Sequence, residues 1–314
     1  MNLIDVKGVS YSRGSRTILR DITFSVPQNS GFALLGPNGA GKTTTIRVIG
    51  GLISPECGGV MVEGKNVHTR NAYTLRESMG FQLDCSLYER LTAQENLQLW
   101  GELYGMSGQT LRKRIDELLD LFRLTDRRNS KVGEFSKGMK QQIALCRAMI
   151  AQPKILILDE PTSGLSPEIA QDVIDYIAEF RKKHGSTILL CTHELFGLEK
   201  LIDHVAIIDH GATLISGCLA DVRAQYWPDS SYRVRISGVQ VKSHPIWKDS
   251  FWSESKVRLK DNGTCTEATF LAYSQDLESF LSRMWSAGLV IEAVEPVRHT
   301  LRDVYFETLA RGES

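Results

Sequence analysis

Gly36-Pro37-Asn38-Gly39-Ala40-Gly41-Lys42-Thr43 is the stretch on which the fold turns. It matches G-x-x-x-x-G-K-[ST] and stands between the apolar run Phe32-Ala33-Leu34-Leu35 and a helical run that starts at Thr44. A buried strand, a glycine loop and a helix in that order make a phosphate cradle, because the loop amides and the positive end of the helix converge on one anion. On this pattern Gly36, Pro37, Asn38, Gly39, Ala40, Gly41 and Thr44 shape the cradle, Lys42 meets the β- and γ-phosphates, and Thr43 ligates Mg²⁺. A chance glycine turn explains the string but not its neighbours.

A phosphate cradle alone leaves kinases, GTPases and ATPases open, so a second, acidic site has to decide. Ile155-Leu156-Ile157-Leu158-Asp159-Glu160 supplies it, as a short apolar run that reads as a buried parallel strand and ends in two carboxylates. Asp159 falls beside the metal, and Glu160 is left to polarise the attacking water as a general base. A solvated acidic turn is the bland alternative, and the upstream cradle argues against it. A second apolar run at 187–190 follows a helix expected over 167–183, which makes a βαβ unit. Strands are expected at 3–6 and 22–26, and a hairpin at 205–209 and 212–215 around His210-Gly211. Leu111, Ile115, Leu118, Leu119 and Phe122 recur at helical spacing, so 91–124 reads as a helical insertion into this α/β body.

The chain has 314 residues, 42% of them hydrophobic and 24% charged, the balance of a globular protein large enough to bury a core without disulfides. Lys and Arg number 37, as do Asp and Glu, which leaves no global basic field to hold nucleic acid. No apolar run approaches the ~20 residues needed to cross a bilayer. Met1-Asn2-Leu3-Ile4-Asp5 is not a basic segment leading into an apolar run, so a cytoplasmic location is expected. Cys57, Cys85, Cys146, Cys191, Cys218 and Cys265 form no C-x-x-C pair and have no histidine at zinc spacing, so reduced packing residues are expected.

Phe135-Ser136-Lys137-Gly138-Met139-Lys140-Gln141-Gln142, just before the acidic strand, resembles the signature motif of the ABC ATPase family. The common form is L-S-G-G-Q. Lys137 and Met139-Lys140 depart from it, Ser136 and Gly138 keep it, and similar S-K-G-M-K-Q forms are familiar in bacterial exporters. The resemblance covers residues 1–223 and implies a P-loop ATPase domain with a helical subdomain at about 87–150. It also implies a head-to-tail dimer, with itself or with a paralogous ATPase, in which Ser136 and Gly138 reach the γ-phosphate of the other subunit's ATP. An integral-membrane permease would be the partner, and the chain would sit peripherally on the inner face of the membrane. His193 resembles the switch histidine that contacts the γ-phosphate and joins Glu160 in catalysis. Tyr11 resembles the aromatic that stacks on adenine, with core packing as the alternative for a single tyrosine. At the metal-sensing position, usually glutamine, the chain offers Asp84, with Gln82 two residues earlier as the alternative. Ser166 stands where the family's loop normally ends in aspartate, and a cap for the helix starting at Pro167 is its simplest role.

Beyond Arg223 the composition shifts, and Trp227, Trp247, Trp252 and Trp285 crowd into the remainder. A small α+β domain is expected over 229–314, in the order strand 232–236, strand 265–272, helix 277–287, strand 289–294 and helix 301–310. The segment from Glu295 to Phe306 resembles the tail of accessory domains in drug- and polymer-export ATPases. Two other functions compete. A soluble ABC ATPase acting on nucleic acid or ribosomes is disfavoured by the lack of sustained heptads between Lys42 and Asp159. A nucleotide-binding regulatory module with weak turnover is kept open by Asp84 and Ser166.

Overall fold

The computed structural model describes residues 1–70, 72–83, 86–193, 195, 197–228, 231–237, 243–248, 258–261, 265–271 and 277–312, and the side chains of 231, 237, 258, 260–261 and 265–271 are outside that description. Two units divide the chain: Met1–Ala220 with Leu301–Ser314, and Asp221–Thr300.

Two sheets build the first unit. Strands β1 (Asn2–Arg13) and β2 (Arg16–Pro27) form a long hairpin, joined by β4 (Cys57–Val62) and β5 (Lys65–Asn66) in the antiparallel order β2-β1-β4-β5. Ile4, Val6, Ile22, Phe24 and Val26 are buried from one face of it, as the alternation of apolar residues requires. The second sheet has the order β10-β9-β3-β8-β7-β6, with β3 (Gly31–Leu35), β6 (Met79–Gln82), β7 (Ile155–Asp159), β8 (Thr187–Thr192), β9 (His204–Asp209) and β10 (Ala212–Cys218). All neighbours in it are parallel except the β9–β10 hairpin. Parallel strands are covered on both faces, which is why 187–190 and 155–158 read as unbroken apolar runs. The core fills the space between the sheets, where the Phe24 and Phe32 rings stack with centroids 5.2 Å apart. Each such fully buried aromatic contributes about 1.5–3 kcal/mol of transfer free energy. Helix α1 (Lys42–Ile49) closes that core with Ile46, Val48 and Ile49.

The connection from β6 to β7 carries the helical insertion. After the short α2 (Tyr73–Glu77), which precedes β6, come α3 (Ala93–Leu103), α4 (Gly108–Leu121) and α5 (Lys137–Met149). A capping box starts α3: the Glu95 amide donates to Thr92 Oγ1 at 3.1 Å and the Thr92 amide to Glu95 Oε2 at 2.8 Å. Leu111, Ile115, Leu118, Leu119 and Phe122, the stripe seen in the sequence, are buried. Arg114, on the same helix, is 6% exposed and donates to Met149 O and to the Tyr176 hydroxyl, both at 2.9 Å. It thereby ties α4 to the end of α5 and to α6 (Pro167–His184). Pro167 opens α6, and Gly185, at φ +62, stops it.

Helix α7 (Leu219–Tyr226) runs across the boundary at Ala220. In the second unit β11 (Ser231–Ser237), β12 (Arg258–Asp261), β13 (Cys265–Leu271) and β14 (Val290–Pro296) form an antiparallel sheet of order β12-β13-β11-β14. Helix α8 (Leu277–Ser286) packs its Phe280 and Met284 against Val234 and Ile236. The expected strands at 232–236, 265–272 and 289–294 and the helix at 277–287 all correspond to these elements. The domain limits do not coincide with the expected ones. The last helix, α9 (Leu301–Gly312), belongs to the first unit, where it lies on β9 and β10, and the second unit starts at Asp221 rather than 229.

Candidate active site

The glycine loop is held open by its own geometry. A Cβ on Gly36 would lie 2.3 Å from Ile208 O, and one on Gly41, at φ +105, would lie 2.6 Å from Leu19 Cδ2. Both positions therefore admit glycine alone. Gly41 is the residue before α1, with no side-chain cap, so the amides of the first helical turn face the loop. Lys42, 7% exposed, curls back and donates from Nζ to Gly36 O at 2.7 Å and Pro37 O at 3.2 Å. Its ammonium is thus held over the mouth of the loop by two carbonyls.

Strand order brings the acids to this loop. β7 and β8 are the next neighbours of β3 on one side, so their C-terminal ends flank the start of α1. Thr43 Oγ1 donates to Asp159 Oδ2 at 2.8 Å. Burial holds the Asp159 carboxyl above its ordinary range, with the Thr43 hydrogen bond opposing, the Glu160 charge adding, and Lys42 and Arg47 opposing. A hydroxyl and a carboxylate are the hard oxygen donors that suit Mg²⁺. Gln82 fits the same set: it ends β6 opposite Leu158, is 2% exposed, and its Oε1 has no hydrogen-bond partner among the described residues. A buried acceptor left open beside the acidic strand end is the kind of atom a cation satisfies. Asp84, the other metal-sensing candidate, lies outside the described residues.

Glu160 has φ +49, the left-handed region that β-carbon-bearing residues avoid. Contacts from β8 hold it there. Its amide donates to Cys191 O at 2.8 Å, Thr192 Oγ1 donates to Oε2 at 2.8 Å, and His193 Nδ1 lies 2.7 Å from Oε1. The conformation swings the carboxylate away from the strand direction and onto the end of β8. Gln141, from the signature segment, donates to Glu160 O at 3.1 Å and to Pro161 O at 3.4 Å, which couples α5 to the catalytic turn.

One cavity of about 410 Å³ is lined by Asn38, Lys42, Thr43, Asp159 and Glu160 together with Arg16 and Ile18 of β2. The cradle and both acids therefore meet in a single space. Tyr11 is absent from that lining. It is half-buried, pairs with Leu19 and packs against the edge of the core. Ser136 and Gly138 do not line the cavity either. Ser136 starts α5, accepting from the Met139 amide at 3.2 Å, and a Cβ on Gly138 would lie 2.8 Å from Gly164 O. Ser166 sits at the position before α6 but makes no capping hydrogen bond, so the cap expected there is absent. Thr192, Gln141, Arg16 and Ile18 had no part assigned from sequence. Arg16 and Ile18 reach the cavity, and Thr192 and Gln141 reach Glu160, through contacts that are non-local in the sequence.

A profile described as "ABC transporter" matches residues 19–163. The linearmycin resistance ATP-binding protein LnrL of Bacillus subtilis (strain 168) is 32% identical over 237 residues, 76% of each chain. The Nod factor export ATP-binding protein I of Rhizobium sp. (strain N33) is 38% identical over 216 residues, 68% of this chain and 70% of that one. Among solved structures, an ATP-binding subunit of an ABC transporter is 35% identical with a TM-score of 0.64, covering 71% of this chain and 93% of that one.

Proposed function

Since the chain belongs to the ABC transporter family of ATP-binding subunits, and so binds and hydrolyses ATP, we propose that it is the motor of an exporter and acts through the residues of the cavity described above. The meeting of Lys42, Thr43, Asp159 and Glu160 in one space carries this reading. Lys42 leaves the Gly36 and Pro37 carbonyls for the β- and γ-phosphates, and the loop amides take the remaining oxygens. Thr43, Asp159 and Gln82 would hold Mg²⁺, which when bound neutralises charge on the phosphates. Glu160 takes the proton of the attacking water, a role worth roughly 10²–10⁴-fold in rate. His193, at 2.7 Å from Glu160, keeps that carboxylate aimed while its other ring nitrogen is available to the γ-phosphate.

Two copies close around ATP head to tail, the Ser136 and Gly138 end of α5 in one facing the cradle of the other. That arrangement accounts for a signature segment that lies outside its own chain's cavity. As with the family's ATP-binding subunits, the pathway for cargo belongs to a membrane permease on whose inner face the chain docks. Export follows from the relatives, whose names record antibiotic resistance and Nod factor export.

Glu160→Gln tests the assignment. Turnover falls by at least 100-fold while ATP binding and the ATP-closed dimer persist, whereas Lys42→Ala loses ATP binding itself. Near-normal hydrolysis by the Gln variant removes Glu160 from its role.

A further inference from the structure

The sheet of the second unit has two edges of opposite character. β12, at one edge, is four residues long and three of them, Arg258, Lys260 and Asp261, are charged, which discourages another chain from pairing there. β14, at the other edge, is seven residues long, and no strand among the described residues pairs with its outer side. The backbone donors and acceptors of that side form a template for one more antiparallel strand.

The exposed apolar surface of this unit gathers at the same place. Val290 is 61% exposed and Val294 37%. Trp285, 74% exposed in the last turn of α8, leads into β14 through the turn at Gly288, whose amide donates to Trp285 O at 2.9 Å. No other large apolar side chain among the described residues of the unit is exposed. Such a cluster beside an open edge marks an interaction surface.

The sequence of β14 suits a second copy of itself. Two β14 strands related by a two-fold axis overlap along their whole length when Ala293 faces Ala293. Val290 then faces Pro296, Ile291 faces Glu295 and Glu292 faces Val294, so no carboxylate stands directly across from another. A slip of one residue, with Ala293 facing Val294, sets Glu292 against Glu295. Charge thus favours the centred register over that neighbour.

We propose that β14 pairs with β14 of a second copy of this chain in the centred register, joining two four-stranded sheets into one continuous sheet. The chain is therefore dimeric without nucleotide. Head-to-tail closure around ATP is a separate contact that this one does not require.

In a concentration series with reductant and no nucleotide, the full-length chain sediments as a reversible dimer. Val294→Glu faces Glu292 with a second carboxylate at two symmetric points and weakens the dimer roughly tenfold, whereas Val294→Lys faces Glu292 with a cation and retains it. On oxidation Ala293→Cys gives a disulfide-linked dimer, and Glu295→Cys does not, because its two copies lie about 14 Å apart along the strands. Lys42→Ala, which loses ATP, leaves the dimer unchanged. A monomer at every concentration overturns the proposal, as does an equal response to the two charges at Val294. Linkage through position 295 as readily as through 293, or loss of the dimer in Lys42→Ala, overturns it as well.

Discussion

Glu160 is held in a conformation where it would not rest alone. A left-handed backbone at a residue with a β-carbon costs about 1–2 kcal/mol, and the conformation persists because the Cys191 carbonyl, the Thr192 hydroxyl and His193 all bind it. Thr192 is 1% exposed and touches the carboxylate without reaching the cavity, so it positions rather than catalyses. Thr192→Val keeps the shape and removes the hydroxyl. We expect kcat to fall about tenfold with KM for ATP within about twofold of its original value, since one neutral-to-charged hydrogen bond is worth roughly 1.5–3 kcal/mol and part of the aim is retained through His193. Thr192→Ser recovers most of the rate. A variant that loses KM and kcat together, with Ser giving no recovery, would instead mark Thr192 as a packing residue.

At the scale of elements, α5 and the β1–β2 hairpin decide how the cavity is furnished. The Gln141 side chain ties α5 to the Glu160 turn. Gly138, one turn earlier, has backbone at 2.8 Å from where a Cβ would sit. Gly138→Asp places a carboxylate at the end of α5 that faces the other subunit's γ-phosphate, and charge repulsion there should abolish ATP-driven dimerisation on a sizing column while the monomer still binds MgATP. A variant that dimerises with ATP contradicts a site completed in trans. The hairpin is irregular around Tyr11. Register shifts fall between Val6 and Val9, between Val9 and Tyr11, and between Tyr11 and Ser12, and each bulge breaks the two-residue alternation by which faces are counted. Tyr11 is half-buried beside these shifts, and Arg16 and Ile18 of the partner strand line the cavity.

For the molecule as a whole, the last helix is the unexpected part. Leu301, Val304 and Tyr305 of α9 are buried, and α9 belongs with the ATPase unit and not with the sheet that precedes it in the chain. Removing everything after Thr300 deletes about 2 kcal/mol of apolar burial for each of those side chains. The melting temperature of the ATPase unit should then drop by roughly 5 °C or more in a calorimetric scan, and an unchanged transition would show that α9 is dispensable. The cradle, the acidic strand, the signature segment and the βαβ unit of β7, α6 and β8 were all legible from the sequence. Each is a local string whose strand–loop–helix context is written in neighbouring residues, and buried parallel strands read as unbroken apolar runs. Arg16 in the cavity, Thr192 on Glu160, Gln141 on the catalytic turn and α9 on β9–β10 were decided only by the tertiary structure. They depend on which residue faces which across distant strands and helices, and neither a bulge nor a returning helix leaves a local periodicity by which that facing could be counted.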